Sequence, residues 1–252
     1  MSSGMLKMRY EEVVKRAKEA RKNPYGYGNV EYGPCDIWQK GDQINLWTYW
    51  QGYQLKDIDE KGVDILLVGQ DWGNPEANED VCKRIEEIIA GNETEFYDAT
   101  ASETDRNLTE MFHAFGENID ITKKNPGMRL FFTNYSLGYR KGIQTGGMTK
   151  TLMRMDDAFF KELVEAIKPK IIICLGQCTY EVVTHQVTKG FCKQLREGIP
   201  FMAPYPQDAK IPVYGVAHCG SRGRQNVGGR ENMRKAWDKI AKDYIAGVHF
   251  SS

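Results

Sequence analysis

The segment VDILLV at Val63–Val68 is a short apolar run, and Gly69 follows it directly. A run of this length, rich in branched aliphatic side chains, is typical of a strand that is buried on both faces. Three later segments predict further strands: Met128–Thr133 (MRLFFT), Lys170–Leu175 (KIIICL) and Ile211–Ala217 (IPVYGVA). Pro212 is expected only at the start of the last strand or on a sheet edge, because proline has no N–H to donate.

Amphipathic segments surround these strands and predict helices. They are Leu6–Lys22, Glu79–Ala90, Thr104–Phe115, Asp156–Ile167, Gln177–Gln186 and Gly229–Ile245. The glycine- and tyrosine-rich stretch Tyr25–Gly33 is expected to be a loop. Because strands and helices alternate from residue 63 onward, the sequence predicts an α/β fold with a mainly parallel sheet.

The length of 252 residues favours one large domain. Residues 1–62 would form an N-terminal helix with an aromatic-rich extension, and residues 63–245 would form the core. No apolar run approaches the roughly 18 residues that cross a bilayer. The charged N-terminus has no signal-peptide core, and the six cysteines have no disulfide-framework spacing. We therefore expect a cytoplasmic protein with reduced thiols and no membrane contact.

The 34 acidic and 34 basic side chains cancel in sum but are segregated along the chain. Residues 71–120 hold fourteen acids against three cations, residues 121–154 hold seven cations and no acid, and residues 218–242 hold seven cations against two acids. Two interpretations stay open. The blocks can cancel in space as solvated faces, or the basic blocks can bind an anionic ligand such as a nucleic-acid backbone.

Polar residues follow the predicted strands directly. Gln70 and Asp71 follow the first strand, Asn134 follows the second, and His218 follows the fourth. The carboxyl ends of parallel strands lie at one sheet edge, where ligands of open α/β sheets bind, so these side chains are expected to converge. Taken singly, each has an ordinary explanation as a helix cap, a turn residue or a satisfied polar group.

Three of these segments resemble the motifs of the uracil-DNA glycosylase superfamily. The segment VGQDWGNP (Val68–Pro75) resembles its water-activating motif, LFFTNYS (Leu130–Ser136) its base-reading strand end, and VAHCGSRGRQN (Val216–Asn226) its last motif. The resemblance implies a three-layer αβα sandwich with a short central sheet. It also implies a monofunctional enzyme of base excision repair that hydrolyses the N-glycosidic bond of uracil or a related deaminated base in DNA.

The resemblance also implies roles for individual residues. Asp71 would position the attacking water, and His218 would stabilise charge on the departing base. Gly69, Gln70, Trp72 and Asn134 would bind the flipped base, with the Asn134 amide matching the uracil edge. Phe96, Tyr97 or Trp72 would stack on the base. The residues expected to contact DNA are Arg140, Ser221, Arg222 and Arg224.

The chain departs from the usual motifs at Trp72, Gly73 and Cys219, where that family's best-known branch has other residues. These departures put thymine exclusion in doubt and keep two alternatives open: a noncatalytic nucleic-acid binder and a small-nucleotide hydrolase. No cofactor is expected, since the chain has no CxxC for an iron–sulfur cluster. A zinc site is not expected, because the cysteine spacing around Cys174 and Cys178 is unusual for one. We expect a monomer that binds damaged DNA.

Overall fold

The computed structural model describes residues 3–27, 30–47, 62–72, 102–123, 125–141 and 148–247. Its helices are α1 (Ser3–Ala20), α2 (Asp36–Gly41), α3 (Glu103–Phe112), α4 (Lys150–Arg154), α5 (Asp157–Ile167), α6 (Gln177–Thr184), α7 (Phe191–Arg196), α8 (Ser221–Asn226) and α9 (Arg230–Ile245). Its strands are β1 (Tyr25–Tyr27), β2 (Val30–Pro34), β3 (Ile65–Gly69), β4 (Leu130–Asn134), β5 (Gly138–Arg140), β6 (Ile171–Leu175), β7 (Phe201–Tyr205) and β8 (Asp208–Val216). The predicted helix Glu79–Ala90 lies outside the described residues.

The larger sheet has five strands in the order β4-β3-β6-β8-β7. Strand β6 pairs in parallel with both β3 and β8, whereas β7 pairs antiparallel with β8. Every residue of β3, β4 and β6 is buried, as expected for strands covered on both faces. The prediction of an α/β fold with a mainly parallel sheet is therefore confirmed. No helix in the described part of the chain is long and apolar enough to cross a membrane.

One prediction about strands was wrong, and another holds in part. The stretch Tyr25–Gly33 is not a loop, because β1 and β2 pair antiparallel within it and β2 continues onto β5 in a second, three-stranded sheet. Pro212 lies inside β8 rather than at its start, opposite Pro204 of β7. It is tolerated there because the pairing of β8 with β6 begins only at Val213.

The chain forms two compact units that alternate along the sequence. Unit 1 comprises residues 1–62, 70–95 and 132–168, and unit 2 comprises residues 63–69, 96–131 and 169–252. In unit 1, helix α1 packs against α5. The buried residues of α1 include Val13, Val14 and Ala17. Helix α5 supplies the buried residues Phe160 and Leu163. Unit 1 is thus held by apolar faces at helical spacing, as the sequence of α1 predicts.

In unit 2, Asp64 ties together the starts of several strands. Its carboxylate accepts hydrogen bonds from the Arg129 backbone N–H at 2.8 Å and from the Arg129 guanidinium at 3.3 Å, and it pairs with Lys170 Nζ at 2.8 Å. Arg129 directly precedes β4, and Lys170 directly precedes β6. Burial works to raise the pKa of Asp64, but these partners outweigh it, so the pKa is lowered. One carboxylate therefore joins the starts of three strands.

Helices α3 and α9 close unit 2 with aromatic side chains. The rings of Phe112 and Trp237 lie 5.2 Å apart, and Phe115 meets Trp237 edge-on at 6.3 Å. Trp237 is fully buried. Such tilted and edge-on pairs are the geometries that aromatic rings prefer. Their effect is to hold α3 against α9, which places the first turn of α3 beside the chain that follows β8.

Candidate functional site

The segment that carries Asp71 runs beside the segment that follows Asn134, and both belong to unit 1. The Ser136 N–H donates to the Gln70 carbonyl at 3.0 Å, and the Trp72 N–H donates to the Gly138 carbonyl at 3.2 Å. Trp72 also forms a parallel bridge with Tyr139. Backbone hydrogen bonds therefore hold two of the three predicted motifs together.

Asp71 makes a two-pronged ion pair with Arg140. The Arg140 Nε lies 2.6 Å from Asp71 Oδ2, and Nη2 lies 3.3 Å from Oδ1. Only 7% of the Asp71 side chain and 12% of the Arg140 side chain are exposed. Burial raises the pKa of Asp71 above its usual value, and the Arg140 guanidinium opposes that rise. Asp71 is thus a nearly enclosed carboxylate, and one guanidinium hydrogen-bonds to both of its oxygens.

Asn134 is the last residue of β4 and is 9% exposed. Its side-chain amide makes no hydrogen bond to any residue that the structure describes, although its backbone carbonyl accepts one from the Thr133 hydroxyl at 3.2 Å. Buried amides normally have partners, because leaving an amide unpaired costs desolvation energy. Within the described part of the chain, no partner competes with a ligand such as a base edge for the donor and the acceptor of the Asn134 amide.

The chain after Asn134 is anchored by Asp156, which sequence reasoning assigned only to the start of a helix. The fully buried Asp156 carboxylate accepts hydrogen bonds from the Leu137 N–H at 3.0 Å, the Ser136 hydroxyl at 3.4 Å and the Arg21 Nε at 2.8 Å. Burial raises the pKa of Asp156, and Arg21 counteracts this. The signal in the sequence was weak, since an acid before a helix normally indicates a cap.

A close approach at Gly138 packs this segment onto the small sheet. A Cβ added there would lie 2.7 Å from the Tyr25 hydroxyl and 2.8 Å from Tyr32 Cδ1. Any larger residue would therefore displace one of the two tyrosines. Gly138 opens β5, the strand that carries Arg140.

His218 lies in unit 2, two residues beyond the end of β8, and is exposed. Its Nδ1 accepts a hydrogen bond from the Gly220 N–H at 3.0 Å. In the neutral imidazole the proton is consequently on Nε2, which makes Nε2 a hydrogen-bond donor. Although His218 is exposed as a residue, the protein around the imidazole removes part of its hydration, which lowers the pKa of His218 and favours the neutral form at neutral pH. A neutral donor of this kind can stabilise negative charge that develops on a bound group.

Helix α3 holds the chain after His218 in unit 2. The Asn107 Nδ2 donates to the Cys219 carbonyl at 2.6 Å. Glu103 accepts a hydrogen bond from the Ser221 hydroxyl and pairs with Arg224 Nε at 2.6 Å. Both contacts lower the pKa of Glu103, and the hydrogen bond from Ser221 has the larger effect. Sequence reasoning missed both Glu103 and Asn107, because their polar pattern on α3 is also that of an ordinary solvated helix.

The other residues of the candidate site have different surroundings. Arg222 is exposed, whereas Gly69 is buried as the last residue of β3. Trp72 is also buried, at 4% exposure. The Cys219 thiol is fully buried, which raises its pKa to about 12 and makes it an unreactive thiol at neutral pH. Gly73 and the stacking candidates Phe96 and Tyr97 lie outside the described residues.

The segment that carries Asp71 and the segment after Asn134 are brought together in unit 1, and His218, Ser221, Arg222 and Arg224 belong to unit 2. The expected convergence of all three motifs at one site stays a prediction. Among the residues that the structure describes, no three His, Cys, Asp or Glu side chains are grouped as metal ligands. The chain matches no model of a known protein family, and a search of curated proteins finds no similar sequence.

Proposed function

We propose that this chain hydrolyses the N-glycosidic bond of uracil, or of a related deaminated base, in DNA. The observation that carries the proposal is the hydrogen-bonded pairing of the Asp71 segment with the segment after Asn134. This pairing sets a buried carboxylate beside the strand that ends in an amide with no described partner. In the excision of a pyrimidine, a carboxylate can stabilise the sugar cation and an amide can recognise the edge of the base.

The reaction breaks the bond between the sugar C1′ and the base nitrogen and forms a bond between C1′ and a water oxygen. Positive charge develops on the sugar and negative charge on the departing base. The Asp71 carboxylate would orient the water and stabilise the sugar cation. A proton released by the water ends on the departing base or in solvent.

Recognition of the base would come from Asn134. Its amide donor faces the O4 acceptor of uracil and its oxygen accepts from N3–H, whereas cytosine presents the reverse pattern. The His218 Nε2–H would stabilise the oxyanion of the departing base. One donor of this kind contributes on the order of 3 kcal/mol to the transition state.

The deciding experiment uses duplex and single-stranded oligonucleotides that carry one uracil, hypoxanthine or xanthine. Strand scission after alkali reports abasic sites. We expect scission with the wild-type protein, and a loss of turnover in Asp71→Asn that far exceeds its loss of DNA affinity, because Asp71 acts in the transition state. The exposed Asp208→Asn is the matched control and should retain turnover. Equal losses of turnover and affinity in Asp71→Asn would contradict the assigned role.

A double-mutant cycle tests whether His218 serves the same reaction as Asp71. If both groups act on one transition state, Asp71→Asn and His218→Gln should be strongly non-additive in turnover, as groups acting as a unit are. Additive effects, or unchanged turnover in His218→Gln, would remove His218 from the reaction.

The two-pronged ion pair favours a second candidate, a noncatalytic nucleic-acid binder. In this candidate the pair of Arg140 with both oxygens of Asp71 is purely structural, and the carboxylate activates no water. This candidate predicts binding to oligonucleotides, with an affinity that falls as salt rises, and no abasic sites with any of the three bases. Turnover of free nucleotides without turnover of oligonucleotides would contradict both candidates.

A further inference from the structure

We propose that Arg140 is a positioning residue for Asp71, holding the carboxylate in one orientation and in its charged state, and is not a DNA-phosphate contact. The inference rests on the proposed catalytic role of Asp71. It replaces the expectation from sequence that Arg140 binds DNA, and it explains how a nearly enclosed carboxylate can act as an anion.

The geometry of the pair carries the first step. Two nitrogens of one guanidinium reach the two oxygens of Asp71, at 2.6 Å and 3.3 Å. A two-pronged contact fixes the plane of the carboxylate, which a single hydrogen bond or a lysine ammonium does not do. The remaining lone pairs of the carboxylate then point away from Arg140, in a defined direction.

The burial of both side chains carries the second step. Phosphate contacts are made by exposed cations, yet only 12% of the Arg140 side chain is exposed. By contrast, Arg222, which was predicted to bind DNA as well, is exposed. A guanidinium committed to a buried carboxylate has little capacity left for a backbone phosphate.

The local fold sets Arg140 in place from two sides. In the antiparallel pairing of β2 with β5, Arg140 lies opposite Tyr32, which is fully buried. The preceding residue, Tyr139, bridges to Trp72, the neighbour of Asp71. The register of the strands therefore fixes the backbone position of Arg140 close to Asp71.

The electrostatics agree with this arrangement. Burial raises the pKa of Asp71, and Arg140 is the group that works against the rise. Tyr32 also faces the pair, and burial raises the pKa of its hydroxyl above the usual tyrosine value, so the hydroxyl stays neutral. Removing the Arg140 charge would leave burial unopposed, and Asp71 would hold its proton to a higher pH.

The test titrates the Asp71 carboxyl by carbon-13 NMR, with its resonance identified by its absence in Asp71→Asn. In Arg140→Met we expect the apparent pKa of Asp71 to rise by about 1–3 pH units, the effect of losing an adjacent cation. Arg140→Lys should restore part of the shift. Turnover of uracil-containing DNA by Arg140→Met should fall at acidic pH and recover as the pH rises, with KM little changed.

Arg129→Met is the matched control, since it removes an Arg–Asp pair at Asp64, at the start of β3. It should leave the titration of Asp71 unchanged. An unchanged titration in Arg140→Met overturns the inference whether or not the protein is an enzyme. If the titration is unchanged and Arg140→Met also lowers the slope of log affinity against log salt concentration by about one, Arg140 contacts a DNA phosphate.

Two further outcomes are informative. If the titration shifts but the wild-type protein forms no abasic sites, the proposed function is wrong and the control of Asp71 by Arg140 stands. If Arg140→Met does not fold, the double variant with Asp71→Asn should regain the fold, because it removes the uncompensated buried charge. A double variant that stays unfolded would overturn the inference.

Discussion

Gly223 shows how one residue shapes the chain around His218. Gly223 lies in α8, where alanine would ordinarily stabilise the helix by about 0.5–1 kcal/mol relative to glycine. Here an added Cβ would overlap the backbone carbonyl oxygen of His218. The clash is with backbone, which cannot move aside as a flexible side chain can.

We therefore predict that Gly223→Ala destabilises the protein by about 1–3 kcal/mol, the usual cost of an overpacked site. Chemical denaturation measures the change, and Gln225→Ala, at an exposed position of the same helix, should be close to neutral. A Gly223→Ala protein as stable as the wild type would show that the chain after His218 can shift freely.

His218 should also give the stability of the protein a pH dependence. Its folded-state pKa is lowered because the surrounding protein removes part of the hydration of the imidazole, so between that value and the unfolded pKa of about 6.5 the unfolded chain binds more protons. Stability should therefore fall as the pH drops through this window. We predict that the unfolding free energy of His218→Gln varies less with pH across this window than that of the wild type, when each protein is compared with its own value at pH 8. An unchanged slope would show that the imidazole titrates alike in both states.

At the scale of elements, local apolar pattern predicted the central strands and long-range pairing explains what it missed. The runs VDILLV and KIIICL are apolar enough to be buried beside any neighbouring strand, so each run identifies its strand, β3 or β6, by itself. Strands β1 and β2 have glycines and exposed positions and exist because β5, more than 100 residues away, completes their sheet. Strand β7 (FMAPY) was missed because it is a partly exposed edge strand that contains a proline.

The candidate site was predictable to a similar extent. Neighbouring strand ends placed Asp71 beside the Asn134 segment, which follows from topology alone. The partner of Asp71 did not follow, because Arg140 is 69 residues away and any nearby cation fitted the sequence equally well. The contacts of Asp156 and Glu103 depend likewise on the three-dimensional path of the chain.

Asp64 should make the strand starts sensitive to acid. Its folded pKa is lowered, so its contribution to stability is complete above the unfolded pKa of about 3.9 and is lost as the pH falls through the folded value. We predict that Asp64→Asn costs about 1–3 kcal/mol at neutral pH, the range for loss of a charged hydrogen-bonding partner. Its unfolding free energy should also vary less between about pH 5 and pH 2. Parallel acid profiles for the two proteins would contradict this.

The contact of α3 with α8 should compete with DNA if the proposed function is right. Glu103 occupies Arg224 and Ser221, which are both predicted DNA contacts. We predict that Glu103→Gln raises DNA affinity and steepens its salt dependence, because Arg224 is released to bind phosphate. Fluorescence anisotropy over a salt series measures both effects. Glu231→Gln, which removes the same charge from the Lys235 pair on α9, should change the affinity less.

For the whole molecule, the ion pairs bear on the segregation of charge along the sequence. Glu103 and Glu110, from the acidic block, pair with Arg224 and Arg230, from the C-terminal basic block, and all four belong to unit 2. These blocks therefore cancel in part through direct contacts, as the first of the two interpretations holds. Arg222, exposed in the same basic block, remains a candidate for an anionic ligand.

Hydrogen exchange should show where global stability is concentrated. Strand β6 has parallel neighbours on both sides and is buried throughout. We predict that the Ile172 and Ile173 amides exchange slowest and report global unfolding, whereas amides of the edge strand β7 exchange faster through local opening. Exchange of Ile173 as fast as that of Met202 would place the stable core elsewhere.

The alternation of the two units along the chain limits how this protein can be inherited or rearranged. Each unit consists of three separate stretches of sequence, so the chain passes from one unit to the other at residues 62–63, 69–70, 95–96, 131–132 and 168–169. No single crossover within the gene delivers one unit intact. A recombinant made by one crossover would therefore carry fragments of both units.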